Sequence, residues 1–214
     1  INAGMWLYDG LSLFRSPRIH KNLKPKEVAE VEPTLDARGL QGAPLFYDCS
    51  TDDARLTLET ALDAMGHGAT IATGAKVVRF LRSADGRVAG AEVEDTLGGE
   101  ERREIRAKVV VNATGPWTDR VRELSPIPGK DKRDVLRPTK GIHIVVPADK
   151  LPVKHAVTCY HPVDERVLFA LPWGDRTYLG TTDTDYEGDP ADVAATSEDV
   201  DYLLTVAAHY FPDF

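Results

Sequence analysis

Apolar residues recur at helical spacing in two stretches of this chain and at strand-like spacing through much of the rest. Leu56, Leu58, Ala61, Leu62 and Met65 fall close to the i, i+3, i+4, i+7 pattern of an amphipathic helix. The pattern predicts a helix from Thr51 to Met65. Thr51 is its expected N-cap, Asp52 and Asp53 suit the positive end of its dipole, and Gly66-His67-Gly68 stops it. A last helix is expected after Ser197 as cap, with Val200, Leu203, Leu204, Val206 and Ala207 on its apolar side. Pro116-Trp117 opens a third, shorter helix running to about Leu124.

Between the helices the period shortens. Leu45-Phe46-Tyr47-Asp48 reads as a short strand. Ala69 to Ala72 begins another, and Lys76 to Leu81 either continues it or forms the next. Asp85-Gly86 is a hairpin turn leading into Val88 to Thr96, and Leu97-Gly98-Gly99 turns the chain again toward Ile105 to Val111. The run Lys108-Val109-Val110-Val111 has the continuous apolar character of a buried parallel strand. Further on, Arg137–Val146, His155–Tyr160, Arg166–Pro172 and Thr177–Thr182 predict an antiparallel set, with turns at Asp164-Glu165 and Gly174-Asp175. The expected organisation is a segment 1–44, an α/β piece at 45–124, and an antiparallel sheet with a C-terminal helix at 125–214, onto which segment 1–44 packs.

Segment 1–44 is irregular. Met5-Trp6-Leu7-Tyr8, Leu11, Leu13 and Phe14 form an apolar cluster, followed by Arg15, Arg18, His20, Lys21, Lys24 and Lys26. Such a pair of stretches is either a membrane-surface element or a helix packed on a neighbouring domain with its basic side in water. Pro17 and Pro25 interrupt any long amphipathic helix and favour the second reading.

Composition narrows the class. The chain has 214 residues, enough for a real core, with 42% hydrophobic and 28% charged residues. A net charge of −8 argues against a general nucleic-acid binder, which needs clustered Lys and Arg. No apolar run reaches membrane-spanning length. Cys49 and Cys159 lack Cys-x-x-Cys spacing, so reduced thiols of a cytoplasmic protein are expected, without zinc or a disulfide. Asp185, Glu187 and Asp189 do not follow the calcium-loop spacing, and no metal is assigned.

Three blocks invite a chemical reading. Asn112-Ala113-Thr114-Gly115-Pro116-Trp117 follows the predicted parallel strand, and ligands of open α/β sheets bind outside the carboxyl ends of such strands. Ala113, Thr114 and Gly115 offer close backbone approach there. Trp117 either stacks near a ligand or plugs the core. Lys140 and His143 lie on a predicted strand; His143 can act as a base near neutral pH. Alternation along that strand leaves both faces open to being covered, which favours a satisfied structural histidine. Asp183 ends a strand, where it either contacts a polar substrate group or caps the following turn.

Taken in order, Trp6-Leu7-Tyr8-Asp9, Asp48–Leu56, Asn112–Trp117, Arg137–Pro147, Leu171-Pro172-Trp173-Gly174 and Tyr178–Pro190 closely resemble the FAD-dependent glycerol-3-phosphate dehydrogenases, flavoproteins of the D-amino-acid-oxidase-like superfamily. The resemblance spans nearly the whole chain. It implies a fold of class α/β plus α+β: a partial FAD-binding Rossmann-like domain beside an antiparallel-sheet substrate (cap) domain. It implies oxidation of sn-glycerol 3-phosphate to dihydroxyacetone phosphate by hydride transfer to FAD, with quinone as electron acceptor and peripheral contact with the inner membrane face. FAD contacts are expected at Val77, through its main chain beside the adenine, and at Ala113, Thr114, Gly115 and Trp117. The resemblance also implies a Gly-x-Gly-x-x-Gly fingerprint and C-terminal substrate-phosphate segments, neither of which occurs here. The chain is therefore expected to be a central fragment, inactive alone, with the family's usual catalytic base outside it. Two alternatives stand beside this reading: an oxygen-reducing glycerol-3-phosphate oxidase, and a non-catalytic binding or scaffold domain of flavoprotein ancestry.

Overall fold

A computed structural model of the chain describes residues 2–99, 101–125 and 134–214. The elements in order are α1 (Asn2–Leu11), β1 (Lys21–Leu23), α2 (Pro25–Val31), β2 (Ala43–Leu45), α3 (Asp53–Gly66), β3 (Ala75–Arg82), β4 (Val88–Asp95) and β5 (Arg102–Arg106). A 3₁₀ turn at Gly115–Trp117 leads into α4 (Thr118–Glu123). Then follow β6 (Thr139–Lys140), β7 (His143–Pro147), β8 (Val157–Tyr160), β9 (Val167–Trp173), β10 (Arg176–Gly180), β11 (Thr184–Asp185) and α5 (Ser197–Tyr210). The loop predicted around Pro126, Pro128 and Lys130–Arg133 lies outside the described residues.

The chain divides into two units. Unit 1 comprises Ile1–Ser50, Thr139–Gly188 and Asp192–Phe214; unit 2 comprises Thr51–Pro138 and Asp189–Ala191. In unit 1 an antiparallel sheet of order β7-β10-β9-β8 is covered on one face by α5. The covered face carries Leu179, Leu168, Ala170 and Cys159, and α5 answers with Leu203, Val206 and Ala207, joined by Phe211 at its C-cap. Each large apolar side chain fully buried there contributes about 1.5–3 kcal/mol. Helix α5 starts at a capping box. Thr196, not Ser197, is the cap: its hydroxyl accepts from the Asp199 N–H at 3.3 Å, and the Asp199 carboxylate accepts from the Thr196 N–H at 2.9 Å. Two buried carboxylates order the N-terminal segment. Asp9 accepts from His20 Nδ1 at 2.6 Å, and Glu32 accepts the backbone N–H groups of Lys154 and His155 at 2.8 and 2.9 Å.

Unit 2 contains a three-stranded sheet of order β3-β4-β5 and the helix α3. The Asp85-Gly86 turn closes the β3–β4 hairpin, with Gly86 at φ +83° and Ser83 N–H donating to the Arg87 carbonyl at 2.9 Å. Asp52 caps α3 through the Arg55 N–H at 3.0 Å, in place of the expected Thr51, because its carboxylate reaches the N3 position. Four sequence expectations fail, the first in unit 1 and the others in unit 2. Phe46–Asp48 and Ala69–Ala72 are not strands. Residues 107–114 form no strand, and Val109 and Val111 are 75% and 80% exposed. The apolar side of α3 is also exposed, at Leu56, Leu58, Leu62 and Met65. The cause is common to the last two: a parallel strand and a covering helix each need a neighbouring sheet, and every ladder between described strands is antiparallel.

Candidate functional site

The sheet of unit 1 has a second face that α5 does not cover. Strand alternation sends Leu179 into the core and turns Tyr178 and Gly180 to the opposite side. The register places Gly180 between His143 and Phe169, and Tyr178 between Val145 and Leu171. His143, Val145, Phe169 and Trp173 are exposed on their strands. The rings of His143 and Tyr178 are 6.2 Å apart, and Tyr178 stacks on Trp173 at 5.8 Å. Among the described residues the His143 imidazole has no hydrogen-bond partner. This corrects the expectation of a satisfied structural histidine. Only one face of β7 is packed, through Ile144 and Val146, and His143 stands on the other.

Lys140 is turned to a different task. Its ammonium lies 2.5 Å from the Asp199 carboxylate, both side chains being about nine-tenths buried, and it also reaches the Ala194 carbonyl at 3.4 Å. The Lys140 hydrogen bond first, and the Thr196 N–H second, hold the Asp199 carboxyl below the usual aspartate range. Lys140 thus ties β6 to the start of α5. Thr182 continues the brace: its hydroxyl accepts from the Ile142 N–H at 3.0 Å and donates to the Lys140 carbonyl at 3.4 Å. Asp183 is exposed, and its backbone carbonyl, rather than its carboxylate, receives the Arg166 guanidinium.

Sequence reasoning missed Asp199 and Gly180 as parts of this arrangement. Thr196-Ser-Glu-Asp199 carries a capping-box signal that marks the first of them. No local signal announces the partnership of Lys140 with a residue 59 positions away.

Unit 2 presents the Asn112–Trp117 turn. Asn112 Oδ1 accepts from the Thr114 hydroxyl at 2.7 Å and from its N–H at 3.3 Å, while Asn112 Nδ2 donates to the Thr118 carbonyl at 3.1 Å. The Thr118 hydroxyl donates to the Gly115 carbonyl at 2.8 Å. Ala113, Thr114 and Gly115 are exposed. Gly115 has φ +54°, with nothing within 4 Å of where a Cβ would stand. The N–H groups of Ala113 and Gly115 have no partner among the described residues. Exposed backbone donors on a braced turn fit a ligand rich in acceptor atoms, as a dinucleotide is. Trp117 is 39% exposed, so it is not a core plug. Val77 lies half-buried on the edge strand β3, next to a register shift between Val77 and Arg79. Val77 and the turn belong to unit 2, whereas Lys140, His143 and Asp183 belong to unit 1.

Residues 9–214 match the family model described as FAD dependent oxidoreductase, and the chain belongs to that family. Within it, the chain is 43% identical over 220 residues to the alpha-glycerophosphate oxidase of Enterococcus casseliflavus, covering 99% of this chain and 35% of that protein. It is 38% identical to the aerobic glycerol-3-phosphate dehydrogenase of Staphylococcus haemolyticus, covering 99% of this chain and 37% of the relative. A crystal structure of the glycerol-3-phosphate dehydrogenase from Bacillus halodurans complexed with FAD superposes with a TM-score of 0.81 at 37% identity, over 90% of this chain and 38% of that one. The chain therefore spans little more than a third of the length of these relatives.

Proposed function

We propose that this chain is part of a flavoenzyme that oxidises sn-glycerol 3-phosphate to dihydroxyacetone phosphate. The observation that carries the reading is the uncovered sheet face, where an unbonded His143 stands beside the Tyr178–Trp173 stack. Bound FAD supplies the acceptor for the hydride that leaves C2 of the substrate. His143 accepts the C2 hydroxyl proton at a ring nitrogen as the carbonyl forms. The Tyr178 ring stands 6.2 Å from that imidazole, and Trp173 stacks on Tyr178. Val77, Ala113, Thr114, Gly115 and Trp117 contact the cofactor, the turn donating from its exposed N–H groups. Lys140 and Asp199 tie β6, which ends just before the strand that carries His143, to the start of α5, and Asp183 is exposed just after β10.

Electrons then pass to quinone. The relatives named alpha-glycerophosphate oxidase support a second reading, in which oxygen takes that place. No helix among the described residues is long and apolar enough to cross a membrane. The exposed Leu7, Leu11, Leu13 and Phe14, beside Arg15 and Arg18, support contact with an anionic membrane surface instead. Co-flotation with phosphatidylglycerol vesicles, lost on Leu11→Asp and Phe14→Asp, is the expected result; equal flotation with neutral vesicles goes against it.

Turnover of glycerol 3-phosphate in the longer polypeptide tests the central reading. His143→Asn is expected to lower kcat by about 10²-fold or more while FAD content holds. Unchanged kcat removes His143 from the chemistry. Release of hydrogen peroxide, in place of quinone reduction, selects the oxidase reading.

A further inference from the structure

Two glycines near the candidate sites are required for opposite reasons. Gly115 is needed for its backbone, since its φ is +54° and the space beside it is open. Gly180 is needed for its space. Its φ lies outside the left-handed region, but a Cβ there would stand 2.6 Å from His143 Cδ2, 3.0 Å from His143 Cγ and 2.7 Å from the Ile142 carbonyl oxygen. Real side chains do not tolerate such distances. Gly180 is buried even though it faces the uncovered side of the sheet, because the imidazole across from it lies over its backbone.

From this we infer that Gly180 is a positioning residue: the missing side chain is the seat on which the His143 ring rests. The register pairs Gly180 directly with His143. The Thr182 hydroxyl fixes the Ile142 N–H one residue before the histidine, so β7 cannot slide to make room. Any larger residue at 180 therefore lifts the ring from the sheet and changes what its nitrogens face. The inference rests on the proposed role of His143 for its importance to turnover, but not for its geometry.

The test is carbethoxylation of the 214-residue chain by diethylpyrocarbonate, read peptide by peptide by mass spectrometry. His67, exposed at the end of α3, serves as the internal standard. In Gly180→Ala the rate at His143 is expected to rise by about threefold or more relative to His67, because a ring driven off its rotamer loses its resting place. A rate at His143 that does not move overturns the inference, whatever happens to turnover. If Gly180→Ala is too unstable to label, melting in a His143→Ala background decides. The fall in Tm caused by Gly180→Ala is expected to be smaller there, since the imidazole contacts are gone and only the Ile142 carbonyl contact remains. An equal fall in both backgrounds overturns the inference. In the longer enzyme, loss of activity in Gly180→Ala but not in His143→Asn counts against the role of His143 alone.

Discussion

At the scale of single residues, charge placement separates structural from chemical groups. Lys140 and His143 stand three positions apart, yet one is nine-tenths buried against Asp199 and the other is exposed without a hydrogen bond. A buried carboxylate whose cation is removed keeps its desolvation cost and loses its partner. Lys140→Met is therefore expected to destabilise unit 1 by about 2 kcal/mol at neutral pH. The pH dependence has a definite sign. Asp199 is held below the ordinary value of 3.8, so the pair contributes its full stability above that pH. The contribution is lost as the pH falls through the lower, folded value. Melting curves of wild type and Lys140→Met should therefore be furthest apart near neutrality and converge in acid below pH 3.8. A separation that grows in acid would contradict the pairing.

At the scale of elements, the caps decide where helices begin and the availability of partners decides which strands exist. Helix α5 supplies one wall of the unit 1 core, and its first turn depends on the reciprocal Thr196–Asp199 bonds. Thr196→Ala should cost about 1 kcal/mol in chemical denaturation, and Thr196→Ser much less, because the hydroxyl is retained. Equal losses would assign the effect to the threonine methyl. Elements whose partners are local in sequence were legible beforehand. The β3–β4 hairpin follows from Asp85-Gly86, and β9 and β10 follow from alternation around Gly174-Asp175. Both helices with 3.6-residue periodicity are present, each with its cap displaced by one residue. The strand expected at Lys108–Val111 was not legible in the same way. Its apolar run signals burial, but burial is conferred by neighbours, and the described strands offer it none. The candidate site divides along the same line. The Ala113-Thr114-Gly115 turn and His143 could be picked out as residue types, whereas the brace at Asp199 and the seat at Gly180 exist only once the sheet register is set.

At the scale of the whole chain, the two units differ in how much they bury. Unit 1 holds a continuous core in which Leu168, Leu179, Leu203 and Val206 are completely inaccessible. In unit 2 the buried apolar residues among those described are Leu81 and Ala91, and α3 buries none. Local stability follows buried apolar contact, and amide exchange through local opening reports it. Backbone amides of β9 and β10 should therefore exchange slowly, at rates set by opening of the whole core. Those of β3, β4 and β5, and of α3, should exchange faster by several orders of magnitude, since each kcal/mol of lost local stability is worth about a factor of five. Saturating FAD supplies the discriminating condition. A ligand that binds the folded turn at Ala113–Gly115 stabilises the unit that carries it by mass action. Protection should then rise selectively across β3–β5 and residues 112–118, with β9 and β10 little changed. Uniform protection of both units without FAD would show that unit 2 draws stability from contacts other than its own core. Selective protection by FAD, abolished when Gly115 is replaced by a bulky residue, would assign the cofactor contact to the turn in this chain itself.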